Sequence, residues 1–376
     1  MNQELTEAPL LVLDREAPPE PPPPAPYRFV YTPALDGLRA LAVAMVFLFH
    51  APYGSKLASG GHIGVDVFLV LSGFLITSIL AGEWQRTGTF SLRKFYLRRL
   101  LRLSPAVLFC TTVICFFDWL HGHIDLWSIV LYYRALLLYY VNLGPWIGLR
   151  VPLGLAHCWS LSLEEQFYVI WPLLLLLMLR HSARRAFWGS AGLFAVATLW
   201  ECWLSASGAP NDRIYLWLDT RANAVLLGAA MAMLPHVMGL AWTRRFAERL
   251  SAVSIWLVGV IVAGMGVIPE PGTLKQPMTL PIIVATAALI VAFTFGPAHR
   301  VRGWFERPGA VWVGRLSYSI YLWHFPILTW ASLHFSPMGS LFGRDPIALG
   351  LTLCFSWATY RLVERPFLSL KTRFES

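Results

Sequence analysis

The sequence predicts an all-α polytopic membrane protein. About ten transmembrane helices are expected, with both termini cytoplasmic and one outer-face amphipathic or re-entrant segment. Three observations lead there. Of 376 residues, 56% are hydrophobic and only 14% are charged, against about 25% charged in soluble domains. Eleven apolar stretches approach the length a helix needs to cross the hydrocarbon, which is about 20 residues. Lys and Arg are divided unevenly between alternate loops, as the positive-inside rule demands. The composition excludes a soluble globular domain, a disordered chain and a coiled coil. The net charge of +9 would suggest nucleic acid in a soluble protein; here it reads as topology, and no nucleic-acid partner is expected.

Taken in order, residues 1–30 come first as a disordered, proline-rich cytoplasmic tail. Seven prolines between Pro18 and Pro26 favour an extended chain that builds no core. The stretch lacks the pattern of a signal peptide. Candidate spans follow at 35–52, 63–81, 103–120, 163–179, 187–205, 223–240, 251–268, 280–296, 313–334 and 345–362. The stretch 124–143 is set apart. Arg134 sits in its middle among Tyr132, Tyr133, Tyr139 and Tyr140, and Arg is costly in lipid while Tyr prefers the interface. With that stretch kept outside, inner loops hold 21 of the 30 Lys and Arg and outer loops hold 7; Arg39 and Arg315 fall within spans. Letting it cross would exchange every later loop and erase the bias. Residues 31–367 form one transmembrane domain, and 368–376 a short cytoplasmic tail.

The five cysteines match no zinc spacing. They read as small buried hydrophobes, and no metal site is expected.

The polar residues inside the spans are the candidates for function, because ionisable groups in lipid are expensive. Arg39 and His50 lie eleven residues apart on span 1, so both fall on one helix face about 16 Å apart along the axis. Asp36 is placed to pair with Arg39. Asp66 opens span 2 near the His50 level, with Ser72 and Gly73 deeper, where small residues ordinarily serve packing. The densest cation cluster is Arg93, Lys94, Arg98, Arg99 and Arg102. Arg99 and Arg102 share a helix face, and paired guanidinium forks suit phosphate; a lipid-headgroup patch fits the same composition. Span 4 opens with Glu164 and Glu165, either of which is a candidate to orient His50. Interfacial capping by Ser160 or Ser162 is the alternative. Tyr168, Tyr321 and His324 are candidates to line a substrate cavity. Asp219 and Arg221, at the start of span 6, read as interfacial anchors.

A basic cluster inside and a histidine nearer the outer face fit group transfer from a cytoplasmic donor to an acceptor reached through the bilayer. They fit an anion transporter too, although no inverted repeat supports one.

Seven pieces in order resemble the acyltransferase 3 family of integral membrane O-acyltransferases. They are Leu35-Asp-Gly-Leu-Arg39 with His50, Gly64-Val-Asp-Val-Phe68 through Ser72-Gly-Phe74, and Arg98-Arg-Leu-Leu-Arg102. Trp159-Ser through Glu164-Glu-Gln-Phe-Tyr168, Asp219-Thr-Arg-Ala222, Ser317 through His324 and Val363-Glu-Arg-Pro366 complete them.

The resemblance implies ten core helices with both termini inside, in a bacterial inner membrane. It implies a cytoplasmic acyl-CoA donor and roles for Arg39, Arg99 and Arg102; these arginines and Arg98 are expected to bind the donor, and the many bulky residues, expected to line a narrow tunnel, favour acetyl-CoA. It implies a hydroxylated acceptor, foremost a carbohydrate or envelope glycan and otherwise a macrolide-like small molecule. His50 would serve as general base or acyl carrier, with Glu164, Glu165 or Asp66 behind it. Many members carry a further esterase-like domain. Because the chain ends about ten residues beyond Pro366, transfer is expected to be completed by the membrane core or by a separate partner.

Overall fold

A computed structural model describes residues 29–52, 54–152, 154–270, 278–334 and 343–371. Residues 1–28 of the expected N-terminal tail and 372–376 of the C-terminal one lie outside them. The described residues form helices and connecting turns, with no strand. The main helices are α1 (Pro33–His50), α2 (Gly64–Thr87), α3 (Leu92–Leu120), α4 (Leu126–Leu137), α5 (Trp159–Leu179), α6 (Ala183–Ala206) and α7 (Leu218–Ala232). Then follow α8 (Leu240–Ala252), α9 (Ser254–Val267), α10 (Leu280–Phe295), α11 (Pro308–His334) and α12 (Arg344–Thr359).

Five helical stretches are long and apolar enough to cross a membrane: Pro33–His50, Gly61–Thr87, Leu92–Leu120, Ala156–Leu179 and Arg344–Leu370. A sixth arises if α8 and α9, bent by 61° at their junction, count as one span. These lengths and compositions, in described residues that hold helix and no strand, point to an integral membrane protein. Nine of the ten apolar stretches fall largely on one helix each, whereas 223–240 is divided between the end of α7, a short helix (Leu234–Val237) and a break at Gly239; the stretch set apart at 124–143 holds the short α4 and a 3₁₀ turn (Val141–Leu143). There Arg134 donates to the Tyr140 hydroxyl at 2.7 Å.

The sequence explains where the helices start and stop. Pro33 opens α1 at a position whose N–H would be unsatisfied in any case. Ser91 caps α3 by accepting from the Lys94 N–H at 3.3 Å, and Ser182 caps α6 through the Arg185 N–H at 3.1 Å. Asp125 caps α4, and the Ser128 N–H and hydroxyl hold its carboxyl below the ordinary carboxylate range. Gly88 ends α2 in the left-handed conformation, φ 70°. The capping role considered for Ser160 and Ser162 is not realised. The residue before α5 is Cys158, Ser160 bonds Tyr321, and Ser162 accepts from the Val141 N–H. Cys110, Cys115 and Cys158 are buried as expected, whereas Cys354 is exposed.

Packing is organised by two helix pairs, α2 along α7 and α1 along α11. Lipid is as apolar as the helix faces, so association depends on close fit rather than on escape from water. Small residues supply that fit. A Cβ on Gly73 would sit 1.9 Å from the Val225 carbonyl, and one on Gly314 would sit 1.8 Å from the Asp36 carbonyl. The backbones of α1 and α11 thus touch beside Asp36, at one end of the cavity described next.

Candidate active site: an arginine-lined cavity and a histidine cluster

A cavity of about 370 Å³ lies among α1, α2, α3, α5 and α11. Arg39 enters it from α1, Arg99 and Arg102 from α3, and Arg315 from α11. Their carboxylate partners are arranged unequally. Asp36 is shared between Arg39 at 3.5 Å and Arg315 at 3.7 Å, and also accepts from the Tyr31 hydroxyl at 2.5 Å. The Arg99 guanidinium carbon sits over the Tyr168 ring, 3.1 Å from its centroid, and the guanidinium pairs with Glu165 at 3.7 Å. Arg102 lines the cavity and makes no ion pair or hydrogen bond among the described residues, although the like charges of Arg39 and Arg99 and the opposite charge of Glu364 act on it. Three guanidinium groups against the single carboxylate of Glu364 near Arg102 leave room for an anion there.

Glu164 also faces the cavity. It accepts hydrogen bonds from the Ser72 hydroxyl and from the Tyr168 hydroxyl, the latter at 2.7 Å. Ser72 therefore does more than permit close packing. Glu364 lines the same space from a π-helical turn, Tyr360–Glu364, that continues α12; it accepts from Ser319. At the other end of the cavity Ser160 and Tyr321 face each other at 2.6 Å.

One turn along α11 from Tyr321 lies His324, fully buried, with its Nε2 at 3.2 Å from Nδ1 of His50. His157, just before α5, completes a cluster. Its ring centroid is 5.2 Å from that of His324, and its carbonyl accepts from the Tyr321 hydroxyl at 2.8 Å. Tyr321 thus stands between the arginine cavity and the histidines. His50 lines a second space of about 240 Å³ with Phe325, Thr329 and Ser332.

The residues singled out from sequence are distributed as follows. Arg39, Arg99, Arg102, Glu164, Tyr168 and Tyr321 share the cavity. His50 and His324 meet beyond it. Arg98 does not line the cavity and pairs instead with Glu83 at 3.6 Å. Glu165 serves Arg99. Asp66 is paired with Arg221 at 2.7 Å, both almost wholly buried, and beside them Asn223 donates to Glu201 at 2.7 Å. Arg221 is therefore an interior residue and not an interfacial anchor. No hydrogen bond or ion pair joins Asp66, Glu164 or Glu165 to His50 among the described residues. Spacing did not reveal His157, Arg315 or Glu364. Each sits on a separate element and gains its place only through packing. No group of three or more His, Cys, Asp or Glu among the described residues is placed to hold a metal ion.

Comparison with known proteins adds to this picture. A family model described as an acyltransferase domain matches residues 32–361. The peptidoglycan O-acetyltransferase OatA of Listeria monocytogenes is 30% identical over 354 residues, covering 90% of this chain and 56% of that protein. A Staphylococcus aureus protein provisionally named an O-acetyltransferase is 29% identical over 360 residues, covering 90% and 57%. YrhL of Bacillus subtilis, provisionally named a peptidoglycan O-acetyltransferase, is 30% identical over 349 residues, covering 89% and 55%. The chain spans little more than half the length of these relatives. No solved structure matches it.

Proposed function

The chain belongs to this acyltransferase family, and from that premise we propose that it transfers an acetyl group from cytoplasmic acetyl-CoA to a hydroxyl of an envelope glycan. The observation that carries the reading is the group of Arg39, Arg99 and Arg102, the last with no ion pair among the described residues, and a cavity running from them to Tyr321, one turn short of the histidines. The arginines suit the phosphates of CoA. The cavity suits its pantetheine arm. His50 then serves the thioester end.

In the proposed step the acceptor oxygen attacks the thioester carbonyl carbon as His50 takes its proton. The C–S bond breaks, and the leaving thiolate recovers the proton. A route through an acetyl-imidazole on His50 uses the same ring. Glycan is the preferred acceptor because the relatives are named for peptidoglycan. We take the ten apolar stretches as ten spans in the bacterial inner membrane, with both termini and the Arg98–Arg102 cluster inside.

The test is reconstitution of the chain in proteoliposomes with acetyl-CoA inside and peptidoglycan fragments outside. Loss of acetyl-CoA matched by fragments heavier by one acetyl group supports the proposal. A small-molecule acceptor modified in their place would redirect the substrate class. Anion flux with no loss of acetyl-CoA would replace the enzyme with a transporter.

A further inference from the structure

We propose that His324 is a positioning residue for His50: it accepts the Nδ1–H of His50 and leaves Nε2 as the free lone pair of that ring. The inference rests on His50 receiving the acceptor's proton, as proposed above, and goes further by naming the atom and the partner behind it.

The hydrogen-bond directions follow from which atoms can donate. A backbone carbonyl oxygen only accepts. His50 Nδ1 lies 2.9 Å from the Val46 carbonyl, and His324 Nδ1 lies 2.6 Å from the Tyr321 carbonyl. Both Nδ1 atoms must therefore carry hydrogen, and in neutral rings both Nε2 atoms are lone pairs. The 3.2 Å contact between His324 Nε2 and His50 Nδ1 is then an N–H···N bond donated by His50, its hydrogen shared with Val46. The opposite direction would need a doubly protonated His324. That ring is fully buried among His50, His157, Tyr321 and Phe325, and an unpaired cation in such a place is strongly disfavoured.

In a serine-protease triad a carboxylate holds the distal N–H of the histidine. Here the carboxylates considered for that task are engaged elsewhere: Asp66 with Arg221, Glu164 with Ser72 and Tyr168, and Glu165 with Arg99. His324 stands in that place as a neutral acceptor. When the acceptor hydroxyl gives its proton to Nε2, His50 becomes a cation whose Nδ1–H still points at His324. The thiolate leaving from CoA then takes the Nε2 proton, and His324 keeps its own hydrogen throughout. His157 packs edge-on against His324, with rings at 78°, and holds it from behind.

The experiment compares His324→Leu with His324→Gln in the full chain. Gln offers an acceptor near the position of ring Nε2, and Leu offers none. Leu is expected to lower kcat by about 10²-fold with little change in KM for acetyl-CoA, and Gln to recover at least about tenfold of that loss. Wild-type kcat in the Leu variant, or a Gln variant no better than Leu, would overturn the assignment. Nitrogen NMR of the ¹⁵N-histidine-labelled wild-type chain in nanodiscs, assigned with His50→Gln, reads the tautomer without turnover. It should show a protonated Nδ1 on His50 coupled to His324 Nε2. A lone-pair signal at His50 Nδ1 would overturn the proposal even if a variant fails to fold. If the wild type does not acetylate, the functional reading falls alone and the tautomer is still decided.

Discussion

The guanidinium of Arg221 lies 2.7 Å from the carboxylate of Asp66, with both side chains 2% exposed or less. The pair ties α7 to the start of α2, the two helices that pack most extensively along each other. Removing one partner leaves a charge without compensation in the interior. Arg221→Leu or Asp66→Leu should each cost about 3–5 kcal/mol, and the double variant less than their sum. Thermal unfolding in detergent reads this directly. Additive losses would show that the two residues do not act as a pair.

Arg102 makes no ion pair or hydrogen bond among the described residues and feels Glu364 only at longer range, so its replacement should spare the fold and weaken the donor. A charge-assisted hydrogen bond contributes about 1.5–3 kcal/mol. Arg102→Ala should therefore weaken CoA binding by roughly 10- to 150-fold, measured by calorimetry in nanodiscs. Unchanged affinity there and in Arg39→Ala would remove this cavity from the donor site.

Tyr168 separates two jobs in one side chain. Its ring carries Arg99, and its hydroxyl donates to Glu164. Tyr168→Phe keeps the ring and should retain most CoA affinity. Tyr168→Leu removes a cation–π contact of about 0.5–2 kcal/mol and should lose several-fold. Equal losses in both variants would assign the effect to the hydroxyl instead.

His50→Ala should cut transfer by about 10²–10⁴-fold, the range of general acid–base catalysis, and leave CoA affinity nearly unchanged. A variant that transfers at the wild-type rate would move the chemistry to another residue.

Much of this architecture is legible in the sequence. Long apolar runs fall on helices because the bilayer leaves the backbone little choice. The Arg99–Arg102 spacing placed two cations on one face because helical periodicity is local. The histidine cluster was not legible. His50, His157 and His324 come from three elements, and only the packing of α1 against α11, with the turn before α5, brings them together. Arg221 misled for a related reason: at the start of a span, an Arg buried with Asp66 and one anchored at the interface look the same in sequence. Arg98 stands beside Arg99 in the chain, yet a 100° step around the helix turns it to Glu83 instead of the cavity.

Arg39 and His50 stand on one helix, α1, which runs without a break from Pro33 to His50 and touches the backbone of α11 at Gly314. Eleven residues of helical rise set the interval between them at about 16 Å. Within the proposed reaction, α1 is a ruler. It measures the distance from the anionic end of a donor to its thioester. Acetyl phosphate, too short to reach both marks, and acetyl-pantetheine, with no phosphate to engage the first, should both be poor donors, whatever the reactivity of their acetyl groups.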